Sequence, residues 1–365
     1  PVISNLKFVN SVTLHTFHPL KSNLVSIEAF PNILYILVTF DVSQFSTPFI
    51  VVLSEKKVKD VNDSTGETTD WQDSADYDIG DRVPFRLKGK VASDYDKYTD
   101  YYFVFHDTES KGLTFDPTSV EVYVGNTKID SSYYKVESPA KDGHTFDVIF
   151  EDLKQVPGVS AGSEIYVYYE SVLNDEAVIG NPGNPNEMYL EYDNNPNDEQ
   201  GGDEEDTGRT PDDKVVVFTY ETIIDKVDES GNALTGATFT LEKYNKETDK
   251  WEAIEQVETT PGSTFTFTGL DDGEYRLTEV DPPEGYNAID PIYFTITATH
   301  TVVEVAGKPI VIETLTVTSE DAEFAANVDA GFVTKLNQEK KELTSGQIYT
   351  ETAMMIYYSL YVMIK

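Results

Sequence analysis

The sequence contains no cysteine. Disulfide bonds, cysteine-ligated zinc and thiol nucleophiles are therefore excluded, and any durability outside the cell must rest on other chemistry. Positive charge is also scarce, because 27 Lys and Arg stand against 65 Asp and Glu and leave a net charge of -38. A chain this acidic repels the phosphates of nucleic acids and the surfaces of anionic membranes. We therefore expect no nucleic-acid partner.

Long apolar runs and the short motifs of common hydrolases are missing too. The apolar run near the end, residues 353–364, has 12 residues, whereas a membrane-spanning helix needs about 20. No membrane span is thus predicted in the chain as written. The five His form no H-E-x-x-H pair, and no G-x-S-x-G elbow is present, so neither a metal hydrolase nor a serine hydrolase is indicated. We expect no cofactor and no metal ligand.

What the sequence does contain is aromatic and β-branched. Its 23 Tyr and 19 Phe, with abundant Thr and Val, are typical of pleated, half-buried strands. Short apolar runs such as residues 101–105, 120–124 and 165–169 are separated by acidic turns. The predicted fold class is all-β, with tandem immunoglobulin-like β-sandwiches.

Composition divides the chain into five parts. Residues 1–53 carry only four charged side chains, and no fold is predicted for them. Residues 54–195 and 214–340 each show the strand and turn spacing of a β-sandwich. Residues 196–213 are acidic and rich in Pro and Gly, which predicts a solvated linker. A calcium loop is the alternative, but the acidic residues lack the regular ligand spacing and the Gly of an EF-hand. Residues 341–365 form a tail.

Two motifs in the second sandwich segment are specific. The first, K-x-D followed by G-x-x-L-x-G-A-x-F, consists of Lys226, Asp228, Gly231, Leu234, Gly236, Ala237 and Phe239. The second, Y-x-L-x-E-x-x-x-P-x-G-Y, consists of Tyr275, Leu277, Glu279, Pro283, Gly285 and Tyr286. On these residues the segment resembles a B-type repeat of collagen-adhesin proteins (CnaB or SpaA-like), a module also found in sortase-assembled pilins.

This resemblance implies a spontaneous isopeptide bond between Lys226 and the side chain of Asn337, promoted by Glu279. Burial penalises the ammonium form of a lysine, so a buried amine can be neutral and nucleophilic. Burial also favours a protonated carboxyl, which can polarise the carboxamide and carry protons while ammonia leaves. A lone Lys or acid in such a protein is usually a solvated surface residue, and the motif context is what argues against that interpretation here.

The first segment offers a parallel set in Lys56, Asp107 and Asn194. The spacing from Lys to acid is 51 residues, compared with 53 in the second segment. These stretches resemble the middle domain of Gram-positive backbone pilins, and the resemblance implies a second isopeptide bond, between Lys56 and Asn194, promoted by Asp107. Lys57 is the alternative amine, because neighbouring strand residues face opposite sides and only one of the two can point inward.

Both ends of the chain depart from the pattern of that family. Where the resemblance leads us to expect L-P-x-T-G, the sequence reads Leu-Thr-Ser-Gly-Gln at residues 343–347, and residues 1–53 contain no Tyr-Pro-Lys triplet. We therefore interpret the tail as a degenerate sorting signal. The chain starts at Pro1 without the pattern of a signal peptide, which indicates a mature form or a fragment.

The resemblance predicts a structural subunit of a Gram-positive cell-surface pilus or stalk. Such a protein is extracellular, is attached to the cell wall or pilus, and turns over no substrate. Its expected partners are other pilin subunits and sortase. One alternative is a wall-anchored adhesin that binds host matrix proteins or glycans. A second is a secreted carbohydrate-active enzyme with two carboxyl groups as acid and base, for which the sequence shows no catalytic motif.

Overall fold

The computed structural model describes residues 52–197, 206–228, 230–254, 263–301, 311–322, 325–327 and 331–338. The predictions for most of residues 1–53 and for the tail 341–365 lie outside these ranges. The described residues form strands, with a few turns of 3-10 helix. In this part of the chain no helix is long and apolar enough to cross a membrane. The predicted all-β class is confirmed.

Fourteen strands build the first sandwich and a small hairpin beside it. They are β1 (Ser54–Val58), β2 (Val61–Asn62), β3 (Glu67–Thr68), β4 (Ser74–Asp76), β5 (Arg82–Lys90), β6 (Phe103–Glu109), β7 (Leu113–Val124), β8 (Thr127–Lys128), β9 (Lys135–Glu137), β10 (Phe146–Phe150), β11 (Glu164–Leu173), β12 (Asn184–Asp193), β13 (Thr207–Arg209) and β14 (Asp213–Phe218). One sheet has the order β1-β5-β11-β7-β8. The other has the order β4-β14-β12-β6-β10-β9, with β13 paired to β12, and β2 pairs with β3.

The sandwich forms because its strands β5, β11 and β12 alternate, along nearly their whole length, between buried side chains and side chains that are partly or fully exposed. In β5, Val83, Phe85 and Leu87 are fully buried, and the residues between them are not. Since successive side chains of a strand point to opposite faces, each such strand presents one apolar face to the core. Gly89 continues this face, and a Cβ there would lie 2.9 Å from the Phe103 ring. The glycine is needed for this close approach between the sheets.

The first sandwich extends further along the chain than the sequence predicted. β13 lies inside the predicted linker and pairs with the end of β12. β14 pairs antiparallel with β12 and parallel with β4, so Val215 and Val217 are buried in the first core. The second segment was predicted to begin at residue 214, but residues 214–218 belong to the first sandwich, and Thr219 separates them from the next strand, which lies in a different sheet.

The second sandwich contains nine strands. They are β15 (Tyr220–Asp228), β16 (Thr238–Asn245), β17 (Lys250–Ala253), β18 (Thr264–Leu270), β19 (Gly273–Asp281), β20 (Ile292–Thr301), β21 (Val311–Thr318), β22 (Ala325–Asn327) and β23 (Gly331–Gln338). They form sheets of order β18-β15-β23-β22 and β17-β16-β19-β20-β21. The first and last strands of this sandwich, β15 and β23, run parallel to one another. They therefore lie side by side although they are far apart in the chain.

The two sandwiches meet through the β2–β3 hairpin and a buried lysine. Ser64 in the hairpin accepts a hydrogen bond from the Glu274 N–H at 2.8 Å and donates one to the Tyr244 carbonyl at 2.9 Å. Lys243 of β16 is buried, and its Nζ lies 2.6 Å from Asp78 of the first sandwich and 3.2 Å from Asp271 of the second. One cation thus links carboxylates of both domains.

Candidate functional sites

The first site lies in the core of the first sandwich, between β1 and β11 of one sheet and β6 and β12 of the other. The side chains of Lys56 and Asp107 are completely buried, and they form an ion pair. Lys56 Nζ also donates a hydrogen bond to the Tyr169 hydroxyl at 2.8 Å, and the rings of Phe85 and Tyr169 lie about its amine. Alternation along each strand produces this arrangement, because Lys56 is in phase with the buried Val58 of β1 and Asp107 is in phase with the buried Phe103 and Phe105 of β6.

Asn186 of β12 completes this cluster. Its side chain is fully buried, and its Nδ2 donates a hydrogen bond to the Tyr169 hydroxyl at 2.9 Å. The same hydroxyl donates to Asp107 Oδ2 at 3.0 Å. Within the described residues, Asn186 Oδ1 and Asp107 Oδ1 have no hydrogen-bond partner. A buried amine, a carboxyl and a carboxamide therefore surround a single tyrosine hydroxyl.

Burial controls the protonation of this cluster. Desolvation lowers the pKa of Lys56 from its ordinary value, although the charge of Asp107 opposes this. Desolvation raises the pKa of Asp107, opposed by Lys56. Desolvation and the neighbouring charge of Asp107 raise the pKa of Glu109 to about 7. These directions favour the neutral amine beside the neutral acid, which are the forms that amide formation requires.

Asn194 does not join the cluster. It follows the last residue of β12, and its backbone N–H donates to the Asp206 carbonyl at 2.8 Å. Asn186 and Asn194 are eight residues apart, which along a strand corresponds to about 26 Å. The sequence prediction chose the asparagine beyond the end of the strand, whereas the buried one lies in its first half.

Lys57, the alternative amine, also lies elsewhere. Its Nζ forms an ion pair with Asp73, and part of its side chain remains exposed. Adjacent residues of β1 point to opposite faces, so only Lys56 reaches the core. The structure therefore places Lys56 beside Asp107 and places Lys57 beside Asp73.

The second site pairs Lys226 of β15 with Glu279 of β19. Both side chains are buried, and Lys226 Nζ lies 3.1 Å from Glu279 Oε1. Glu279 Oε2 accepts a hydrogen bond from the Ile289 N–H at 2.9 Å. The Phe239 ring lies 5.5 Å from the amine. Desolvation lowers the pKa of Lys226, as it does for Lys56.

Asn337 belongs to β23, the strand that pairs in parallel with β15. In this register Lys226 lies opposite Leu336, and Asn337 lies opposite Val227. The backbone thus brings Asn337 to the position next to the partner of Lys226, although 111 residues separate the two in the chain. In this register Asn337 is in phase with Val227, and Leu336 is in phase with Lys226. The side chain of Asn337 lies outside what the structure describes.

Tyr169, Asn186 and Glu109 are the members of the first site that the sequence prediction missed. Asn186 carried a usable signal, because it is in phase with the inward residues Met188, Leu190 and Tyr192 of the same strand. Asn194 is in the same phase, so alternation alone could not separate the two. The pairing of Asn186 with Glu109, two residues beyond Asp107, is what separates them.

Comparison with known families agrees with the division into two sandwiches. Residues 79–196 match the domain described as Gram-positive pilin backbone subunit 2, Cna-B-like domain. Residues 221–309 match SpaA, a prealbumin-like fold domain. The two matches lie in the first and second sandwich respectively, and neither includes the chain ends.

Individual relatives point to the same group. The trypsin-resistant surface T6 protein of Streptococcus pyogenes serotype M6 is 25% identical over 300 residues, which cover 76% of this chain and 51% of that protein. The chain therefore spans about half the length of this curated relative.

Solved structures share the fold. The T6 backbone pilin of serotype M6 S. pyogenes has a TM-score of 0.54 at 19% identity, covering 81% of this chain and 71% of that one. The 35 kDa C-terminal fragment of the major pilin GBS80 of Streptococcus agalactiae has a TM-score of 0.50 at 22% identity, covering 67% and 90%. Both sandwiches thus match pilin-type domains, a pilin backbone domain followed by a SpaA domain, and the chain is similar to Gram-positive backbone pilins in the domains it contains and in their order.

Proposed function

We propose that this protein is a load-bearing subunit of a Gram-positive pilus shaft, and that each of its sandwiches is locked by an internal isopeptide bond. In the first sandwich the bond joins Lys56 to Asn186, with Asp107 as the promoting acid. In the second it joins Lys226 to Asn337, with Glu279 as the promoting acid. The observation that carries the proposal is the buried contact of Lys56, Asp107 and Asn186 around Tyr169.

The reaction in the first sandwich is an amide exchange that needs no cofactor. The neutral amine of Lys56 attacks the carboxamide carbon of Asn186 and forms a new C–N bond. The protonated carboxyl of Asp107 donates a hydrogen bond to the carboxamide oxygen and stabilises the charge that develops there. The carboxyl then carries a proton from the attacking nitrogen to the departing nitrogen, so that ammonia leaves. Each bond therefore lowers the mass of the chain by one ammonia.

Such bonds suit a shaft without cysteine. Each joins the first strand of a sandwich to a strand near its end, so tension passes through an amide instead of unzipping the sheet between them. An amide is also indifferent to the thiol reductants that cleave disulfides. The expected setting is the cell surface, and the expected partners are further pilin subunits and a sortase that joins them.

Two other functions are weaker explanations of the same residues. A carbohydrate-active enzyme needs acids that a sugar can reach, whereas Asp107 and Glu279 have completely buried side chains. An adhesin needs a ligand-binding surface, and binding of the full chain to arrays of host matrix proteins and glycans tests for one. A shaft subunit is expected to bind none of them.

Intact mass spectrometry of the folded chain tests the proposal directly. We expect a mass two ammonias below that of the sequence, and peptide mapping should recover one peptide pair linked through Lys56 and Asn186 and another through Lys226 and Asn337. A mass equal to that of the sequence would overturn the cross-links. A deficit of one ammonia would confine the chemistry to the sandwich whose linked peptides are found.

A further inference from the structure

A cluster of four possible metal ligands lies on the outer face of the first sandwich, away from the cross-link. His106 of β6 and Asp147 of β10 are Cα partners in neighbouring strands. His144 and Asp142 lie in the turn that leads into β10. One ligand atom from each of the four residues lies within 4.8 Å of the others. His106 and Asp147 are buried, and the side chain of Asp142 is 59% exposed at the rim.

The spacing of the donor atoms matches a small coordination shell. The Nδ1 atoms of His106 and His144 are 3.2 Å apart. Asp147 Oδ1 lies 2.8 Å from the first and 3.4 Å from the second, and Asp142 Oδ1 lies 3.3 Å from His144 Nδ1. Ligands bonded to tetrahedral zinc at about 2.0–2.1 Å are separated by about 3.3 Å. His106 Nδ1, His144 Nδ1 and Asp147 Oδ1 therefore lie near the separations that one such ion requires, and a carboxylate oxygen of Asp142 lies within 4.8 Å of the other ligands.

The Nδ1 atoms of the two histidines face one another as well as the carboxylates. If each Nδ1 carries a proton and donates it to a carboxylate, two N–H groups lie only 3.2 Å apart at their nitrogens. A cation at their centre would instead take a lone pair from each of the ligands.

The outer nitrogens of both imidazoles also have the partners usual around a metal centre. His106 Nε2 lies 3.0 Å from a carboxylate oxygen of Glu191, and the Tyr189 ring stacks on the same imidazole. His144 Nε2 lies 3.4 Å from the Tyr189 hydroxyl. When the outer N–H of a metal-bound histidine donates to a carboxylate, the ring is held with its other nitrogen toward the metal. Glu191 and Tyr189 fit this positioning role.

We propose that His106, His144, Asp142 and Asp147 bind one transition-metal dication, with Zn²⁺ as the best match. Two imidazoles and two carboxylates suit zinc, whereas Ca²⁺ and Mg²⁺ prefer shells made of oxygen only. Two neutral imidazoles and two carboxylates would also balance the charge of the ion. The bound ion would tie the turn that carries Asp142 and His144 to β6, next to the strand position of Asp107.

Titration calorimetry on the metal-free full chain tests this site. The chain should carry no histidine tag, and a background variant with His15→Ala and His18→Ala removes the two N-terminal histidines as competing ligands. In that background we expect one Zn²⁺ per chain. His144→Ala should weaken binding at least 100-fold, and Glu191→Gln roughly 10-fold to 100-fold, the usual effect of removing an outer partner.

Controls separate this site from others on so acidic a chain. Asp142→Asn should weaken zinc binding, whereas Asp175→Asn, at an exposed acid elsewhere, should leave it unchanged. Excess Ca²⁺ or Mg²⁺ should not displace Zn²⁺, and Co²⁺ in its place should show the strong visible absorption of a four-coordinate site. Thermal unfolding of each metal-free variant checks that it folds.

Three results would overturn the proposal. They are the absence of stoichiometric zinc binding, zinc binding that survives His144→Ala in a folded variant, and zinc binding that disappears when only the N-terminal histidines are replaced. Equal competition by Ca²⁺ would point to an oxygen-only site and would overturn it as well.

Discussion

Replacing Asn186 with Ala is the sharpest test of the first cross-link. Asn186 contacts the Tyr169 hydroxyl beside Lys56, whereas Asn194 lies beyond the end of β12. We expect Asn186→Ala to have a mass only one ammonia below that calculated from its own sequence, because the carboxamide that would react with Lys56 is gone. Asn194→Ala is the matched control and should keep the full deficit.

The loss of stability can be estimated from the loop that the bond closes. Lys56 and Asn186 enclose about 130 residues, and the entropy model for a cross-link of this size gives about 5 kcal/mol. For a domain of this length, each kcal/mol shifts the melting temperature by roughly 2–4 °C. Calorimetry should therefore show the first sandwich melting about 10–20 °C lower, with the second sandwich unchanged.

A double-variant comparison separates the bond from ordinary packing. Lys56→Met and Asn186→Ala each remove the bond, so the double variant should be little less stable than either single one. Additive losses, or an unchanged mass in Asn186→Ala, would refute the assignment. If instead the Asn194→Ala variant loses one ammonia fewer than the parent protein, the bond joins Lys56 to Asn194, as predicted from the sequence, and the assignment to Asn186 is wrong.

Three further predictions concern the second sandwich and the junction. Glu279→Ala should reduce the mass deficit of the chain by one ammonia and lower the melting temperature of the second sandwich. Glu284→Ala, at an exposed acid nearby, should do neither. A Glu279→Ala variant that still lacks two ammonias would contradict the role of Glu279. Lys243→Met should cost about 3–5 kcal/mol, because it leaves the buried carboxylate of Asp271 and the partly buried carboxylate of Asp78 without their cation. Small-angle scattering should then show a more variable angle between the domains, and an unchanged profile would mean that the hairpin alone holds them. Burial, together with the charge of Asp78, raises the pKa of Asp81 to about 7. The folded state therefore holds a proton that the unfolded state releases near pH 4. As a result, the contribution of Asp81 to stability falls as the pH rises from about 4 to 7. Asp81→Asn should therefore gain stability relative to the parent protein at pH 8 but not at pH 4, and a difference that is independent of pH would refute this.

The sequence predicted the parts of this architecture that depend on local pattern. Alternation and turn spacing indicated β-sandwiches, and motif context singled out Lys56, Asp107, Lys226 and Glu279, whose side chains are all buried in the structure. These residues could be found because the motifs around them resemble those of pilin and collagen-adhesin domains, and the resemblance implies a role for each of them. Their burial follows from the face of the strand that each one occupies.

The contacts that could not be predicted from the sequence depend on the register between strands that are distant in the chain. Asn186 and Asn194 share one phase of one strand, and only the pairing of β12 with β6 shows which of them lies near Asp107. The same limit applies to His106 and His144, which are 38 residues apart and meet because β6 pairs with β10. The domain boundary was misjudged because only Thr219 separates β14 from β15, so no turn residues mark the point at which the chain passes from one sandwich to the other.

The two proposed bonds leave a defined stretch of chain outside their protection. Tension that enters at Lys56 crosses to Asn186, follows the chain to Lys226 and then crosses to Asn337. About 40 residues lie between Asn186 and Lys226, and only non-covalent contacts fold them. Because Asn186 and Val215 are partners in the pairing of β12 with β14, tension pulls on neighbouring ends and unzips this pair instead of shearing it.

Single-molecule pulling on the full chain should therefore show one early extension and then none. Fully extended, the 40 residues span at most roughly 140 Å. The expected gain in length is this span minus the distance between Asn186 and Lys226 in the folded protein. Asp107→Ala, which lacks the first bond, should release about 130 further residues, or roughly 450 Å more. If the parent protein also shows this additional extension of roughly 450 Å, no amide joins β1 to β12, and only non-covalent contacts hold the first sandwich under tension.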